Sequence, residues 1–251
     1  MKKLAVINLI TLIIVIGMNA LANYLPLNNN TTGELSEQVN VLFTPGGYVF
    51  SIWSVIYSLL AIWAVRAVFT KHRGDREAVR AIGLLFVLSS VWNTAWLFAF
   101  HYEWFAVSMI PMGALFITLI MIYAAIRRAG KVSVWTKLPF SIYMGWISVA
   151  FIVNIGILFN SIGLEDGFLL SNVAWTVVII AAGALIAAGV MQFLRDAVYP
   201  AVFVWAYLGI FVERADAYPA IAWTALAGAL FITAAIGVFL MKKRRILEMN
   251  G

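Results

Sequence analysis

The residues best placed to do chemistry are amides and indoles rather than acids, bases or thiols. Asn93 stands three residues before Trp96, and Trp92 and Trp96 form an i, i+4 pair. In a helix such spacings put side chains on neighbouring parts of one face. Trp53 and Tyr57 repeat the i, i+4 spacing, and Trp146, Ser148 and Asn154 share another apolar run. An indole carries an N–H that wants a partner when buried, and an amide facing lipid is costly. Asn93 and Asn154 are therefore expected to point into a protein interior. Two readings stay open: hydrogen bonds that tie helices together, or the few polar groups that orient a small molecule inside an aromatic cavity.

Other chemistries find little support. The 251 residues contain no cysteine and two histidines, His72 and His101, which excludes thiolate catalysis, disulfides and a multi-histidine metal cage. No P-loop, dinucleotide fingerprint, HExxH or GxSxG is present. No acid–base pair falls within an apolar run, so an enzyme is not indicated, and no cofactor is required. The absence of Asp, Glu, Lys and Arg from the centres of those runs also argues against a proton-coupled antiporter.

The elements that must position these residues are membrane helices. Apolar residues make up 64% of the chain and charged ones 11%, against about 45–50% and roughly 25% in soluble domains. A spanning helix needs about 20 mostly apolar residues. Eight runs qualify or nearly so: 4–25, 47–69, 79–100, 104–126, 135–159, 169–190, 197–212 and 218–241, the seventh being the shortest. They are continuous rather than alternating, which excludes a β-barrel. The expected fold is an all-α polytopic transmembrane bundle of seven or eight helices.

Charge sets the expected topology. With the N-terminus cytoplasmic, inner connections hold 16 of the 17 Lys and Arg residues, from Lys2 and Lys3 to Lys242, Lys243, Arg244 and Arg245. Only Arg214 falls outside, among Glu34, Glu37, Glu103, Glu165, Asp166, Glu213 and Asp216. This follows the positive-inside rule for a plasma or inner membrane protein with both termini cytoplasmic. The net charge of +6 thus reflects topology and implies no nucleic-acid partner. Lys2-Lys3 followed by an apolar stretch and Ala20-Leu21-Ala22 also resembles a cleavable signal peptide; retention of this helix is expected, with the cleaved, seven-helix form the alternative.

The remaining sequence signals are local. Trp104 and Trp135 near helix ends fit an interfacial belt. The segment 183–189 has small residues four apart, expected to pack helices closely. Pro111 and Pro200 are expected to kink or start helices. The long connection over 26–46 is either a lid or a loose outer loop.

Three segments together resemble the TspO/MBR group of tryptophan-rich sensory proteins, which includes the translocator protein. Phe43-Thr44-Pro45-Gly46-Gly47-Tyr48-Val49-Phe50-Ser51-Ile52-Trp53-Ser54-Val55-Ile56-Tyr57 is similar to the family's FTPPGWVFGPVWTxLY. Asn93-Thr94-Ala95-Trp96 is similar to its N-x-A-W, and Trp146-Ile147-Ser148-Val149-Ala150-Phe151-Ile152-Val153-Asn154 to its W-V-S-F-A-x-x-L-N. Gly46 and Tyr48 replace a proline and a tryptophan, and one residue is missing between Phe50 and Trp53. The resemblance covers about residues 4–160. It implies a five-helix core over 1–160, with about three additional helices and a basic C-terminus over 161–251, in one compact membrane unit.

The resemblance also implies a function. Members of this family bind porphyrins and, in some cases, sterols in a cavity enclosed by the five helices and the first loop, and small members dimerise. Carried onto this chain, the pocket comprises Pro45, Phe50, Trp53, Tyr57, Asn93, Trp96, Trp146 and Asn154. The expected partners are the lipid bilayer, a small apolar or tetrapyrrole-like ligand such as a porphyrin or haem, and a second copy of the chain. Receptor, carrier of a small hydrophobic molecule, and oxidative porphyrin degradation are the activities that the resemblance leaves open, in that order.

Overall fold

A computed structural model describes residues 1–24, 27–39, 41–164 and 169–249; the acids Glu165 and Asp166 of the expected outer loop lie outside them. Among the described residues there are ten α-helices and no strand. They are α1 (Lys2–Tyr24), α2 (Thr32–Gln38), α3 (Ile52–Phe69), α4 (Arg73–Ile82), α5 (Leu85–His101), α6 (Phe105–Arg128), α7 (Val134–Ser161), α8 (Asn172–Leu194), α9 (Val198–Arg214) and α10 (Pro219–Met249). Helices are the only open structure that lets a lipid-facing backbone satisfy every polar group internally.

The eight expected spans correspond to six full ones, a bent seventh and a short eighth. α1, α3 with its preceding turn, α6, α7, α8 and α10 are each long and apolar enough to cross a bilayer. The run expected as one helix over 79–100 is instead broken. α4 and α5 meet at a 53° bend, where Gly83 adopts φ 52°, a left-handed conformation open to glycine at little cost. α9 has 17 residues, about 26 Å at 1.5 Å per residue, just under a hydrocarbon core of about 30 Å.

Packing divides the helices into two groups. α1, α3, α5, α6 and α7 pack on one another, α8, α9 and α10 form a second cluster, and α9 joins the groups by packing on α7. α7 and α8 follow one another in sequence yet scarcely touch. Within the second cluster Gly183 of the small-residue segment lies directly against the Tyr207 hydroxyl, which donates to the Ile180 carbonyl at 2.8 Å. At the helix ends Trp104 and Trp135 are exposed. Pro111 and Pro139 lie inside α6 and α7, and Pro200 lies in the first turn of α9.

The basic connections gather at one end of the bundle. There α4 docks on the α6–α7 connection: the Asp75 carboxylate accepts from Ser133 N–H at 2.8 Å and from the Thr136 hydroxyl at 2.9 Å. Gly74 makes this approach possible, because a Cβ would fall onto the Lys131 carbonyl. Backbone on backbone cannot yield as a flexible side chain would. Gly74→Ala is expected to cost about 1–2 kcal/mol through overpacking, despite alanine's better helix propensity, and to lower the melting temperature of the detergent-solubilised protein. An unchanged melt would mean the two backbones separate freely.

Candidate ligand-binding site

At the opposite end from the basic connections, the segment between α1 and α3 is folded onto the core. The α2 helix begins with a capping box: the Thr31 hydroxyl accepts from Glu34 N–H and the Glu34 carboxylate accepts from Thr31 N–H. Beyond it Val41, Leu42, Phe43 and Thr44 are buried. The described residues of this connection are thus packed on the core and do not form a loose outer loop; the segment 41–51 is called the lid.

Six of the eight residues expected to form the pocket come together where this segment meets the core. Pro45, Phe50, Trp53, Trp96, Trp146 and Asn154 line one void, with Ser36 of α2 above it. A 3₁₀ turn over Gly47–Ser51 leads into α3. Phe50 lies in that turn and Trp53 in the first turn of α3, three positions on, and both face the void although the family spacing is one residue longer. The Trp146 ring stands edge-on to Phe50 at 5.5 Å and to Trp53 at 6.4 Å. Trp53 stacks on Tyr57 at 5.5 Å. Trp96 Nε1 donates to Asn154 Oδ1 at 3.0 Å, and Asn154 Nδ2 donates to the Ala150 carbonyl at 2.8 Å. The void measures about 20 Å³, room for about one water.

Tyr57 and Asn93 do not line this void. Asn93 is fully buried, and its Oδ1 accepts from Asn19 Nδ2 of α1 at 2.8 Å. Trp146 Nε1 is buried without a hydrogen-bond partner; Asn93 Nδ2 and the Tyr57 hydroxyl are buried with none at close hydrogen-bond distance, the Asn93 amide interacting more loosely with the Tyr57 and Tyr143 hydroxyls. A buried donor left unpaired costs about 1–3 kcal/mol, so Trp146 Nε1 in the wall of the void calls for an explanation.

Residues outside the expected set hold the lid. Arg214, at the end of α9, donates through Nε to the Leu42 carbonyl at 3.2 Å and through Nη2 to those of Val41 at 3.2 Å and Thr44 at 3.5 Å. Trp205 Nε1 donates to the Val49 carbonyl at 3.1 Å. Between them Gly209 lets Val49 and Pro45 lie directly on α9, and Phe43 meets the Tyr207 ring edge-on at 6.3 Å. The sequence carried one signal of this clamp, Arg214 as the lone basic residue among outer acids. Nothing in the sequence pointed to Asn19, Trp205 or Gly209.

A family model described as TSPO-like protein matches residues 5–238. The chain belongs to the TSPO-like protein family. This makes it a multi-pass membrane protein of the sensor or transporter type. No curated protein and no solved structure matches it. The family match runs well past residue 160, through α8, α9 and most of α10. The helices that supply the TSPO-like chain with its lid clamp are thus inside the matched region.

Two larger clefts flank the α7–α8 boundary of this TSPO-like protein. One, of about 430 Å³, lies beside the lid between Val41, Phe43, Gly156, Phe159, Trp175 and Ile179. The other, of about 580 Å³, opens at the basic end between α6, α8 and the start of α9. Among the described residues no cluster of three His, Asp or Glu side chains could hold a metal.

Proposed function

We propose that this TSPO-like protein is a membrane receptor for a flat, apolar ligand of tetrapyrrole type, bound between Phe50 of the 41–51 lid and Trp53, Trp96 and Trp146 of the core. The observation that carries the proposal is Trp146 Nε1, a buried donor without a partner in the wall of a void framed by three indoles, with the Asn93 amide and the Tyr57 hydroxyl as further buried polar groups of the same core. Indole faces suit a planar π-system, and the donors suit its carboxylate or carbonyl oxygens. Ligand pockets commonly measure about 300–1,000 Å³, so the void of about 20 Å³ is the closed state. Pro45 and Phe50 belong to the lid segment, and lifting it enlarges the site. A ligand with affinity for the open form shifts the population toward it. The charge pattern favours both termini in the cytoplasm, with the lid on the outer side.

Protoporphyrin is expected to quench the tryptophan emission of the purified protein saturably, after correction for inner-filter absorption. Asn93→Leu is expected to weaken binding about tenfold, as loss of one buried hydrogen bond to a charged group would. Emission unchanged by either protoporphyrin or haem would sink the proposal. Liposome flux separates receptor from carrier: binding without saturable uptake fits a receptor, and uptake abolished by Trp96→Ala would make the protein a carrier.

A further inference from the structure

The cleft at the basic end has a chemistry unlike the aromatic site. Its walls come from Phe116 and Ala124 of α6, Met144 of α7, and Val190 and Phe193 of α8. It exists because α8 packs on α9 and α10 and leaves α7 uncovered. From Phe116 to Arg128 it follows α6 for about 18 Å at 1.5 Å per residue, the reach of an extended acyl chain.

Four lining side chains carry strong polar groups, and two of them are already engaged. The Tyr123 hydroxyl donates to the Asp196 carboxylate, and the Tyr199 hydroxyl is bonded to the Ser148 hydroxyl at 3.0 Å. The other two are the guanidinium groups of Arg127 and Arg128, which have neither an ion pair nor a hydrogen bond among the described residues. Arg127 lies over the Phe193 ring, its Cζ 5.7 Å from the centroid, which holds it at the mouth. Asp196, the nearby carboxylate, is buried and matched by Lys137 at 3.5 Å, so it leaves both arginines unneutralised.

An apolar slot with two free guanidinium groups at its mouth selects an anion with a long apolar tail. We infer that this cleft is a binding site for one anionic phospholipid of the surrounding bilayer, its acyl chain along α6 and α8 and its phosphate on Arg127 and Arg128. Guanidinium matches phosphate bidentately, and basic pockets between spanning helices favour acidic headgroups. A choline headgroup brings its own cation to the same place and loses that advantage.

Native mass spectrometry of the purified full-length protein, with phosphatidylglycerol and phosphatidylcholine of identical chains added in equal amounts, tests this. Phosphatidylglycerol adducts are expected to exceed phosphatidylcholine adducts by about fivefold. The preference is expected to vanish in the Arg127→Gln/Arg128→Gln variant and to persist, weakened, with lysine at both positions. Ala124→Phe, which fills the slot and keeps both charges, is expected to lose the adduct. Equal retention of the two lipids by the wild-type protein overturns the inference whatever the variants do. A preference unchanged by the glutamine substitutions also overturns it, and free oleate displacing phosphatidylglycerol at equal concentration overturns the choice of a phospholipid.

Discussion

Asp196→Ala is expected to lower the stability of the folded protein by about 2–3 kcal/mol, the cost of leaving several buried donors without their acceptor, with the partly exposed Lys137 adding little. The melting temperature is expected to fall on the order of 10 °C. Asp196 lies in the connection between α8 and α9, is buried, and gathers groups from three helices. Its Oδ2 accepts from the Ser141 hydroxyl at 2.8 Å and from the Tyr123 hydroxyl, its Oδ1 from Val198 N–H at 2.9 Å, and Lys137 stands 3.5 Å away. Truncation leaves those donors and the lysine without their acceptor at the point where the second helix cluster meets α6 and α7. Asp196→Asn keeps an acceptor and loses the charge, so less than half the loss is expected. Burial pushes the Asp196 carboxyl up, but Tyr123, Val198 N–H, Lys137 and Ser141 together outweigh it and hold the carboxyl below its ordinary range. Its contribution is therefore full above the unfolded value of about 3.9 and is lost as pH falls through the lower folded value. Melts recorded down through that range should show this step in the wild-type protein and not in Asp196→Ala. An Asp196→Ala melt superimposable on wild type at neutral pH would mean the two clusters are held elsewhere.

What the sequence made legible, and what it did not, follows from range. Apolar runs and the side assigned to each basic residue depend on one helix at a time, and they identified all the long helices. The break at Gly83 was harder, because Val79, Ala81 and Ile82 extend the apolar run back across the glycine into the end of the otherwise charged α4. The capping box at Thr31 and Glu34 was readable as a helix start, although the connection around it read simply as a loop. At the site, i, i+3 and i, i+4 spacings and the family motifs pointed to Trp96, Trp146 and Asn154, which do converge. Asn93 sits away from the void with its carbonyl taken by Asn19 of α1, a contact between residues 74 positions apart, and Tyr57 sits away from it with its ring stacked on Trp53. Asp196 drew no notice in a short connection, since its partners Tyr123, Lys137 and Ser141 lie far from it in the chain. Cavity volume had no sequence signal at all: it depends on how Phe50, Trp53 and Trp146 close on one another.

Arg214→Met is expected to accelerate ligand entry while destabilising the lid. The guanidinium is half-buried and holds the carbonyls of Val41, Leu42 and Thr44. Hydrogen bonds to a charged group contribute about 1.5–3 kcal/mol, so methionine, of similar length and without donors, is expected to cost the closed lid about 2–3 kcal/mol. The carbonyls it releases lie at the end of the bundle, where water can satisfy them in the open form but less well in the closed one. Each 1.4 kcal/mol is a factor of ten in a population, so the open fraction should rise at least about tenfold as long as it is small in the wild-type protein. Stopped-flow quenching by protoporphyrin should then show a faster apparent association rate by a similar factor. Arg214→Lys keeps the charge and fewer aligned donors, and is expected to fall between. Trp205→Phe, which removes only the bond to the Val49 carbonyl, should move the rate in the same direction by less. The ordering is the informative result. If Arg214→Met lowers the melting temperature and leaves the association rate untouched, α9 braces the lid without gating the site, and entry must follow another path, such as the lateral cleft between α7 and α8.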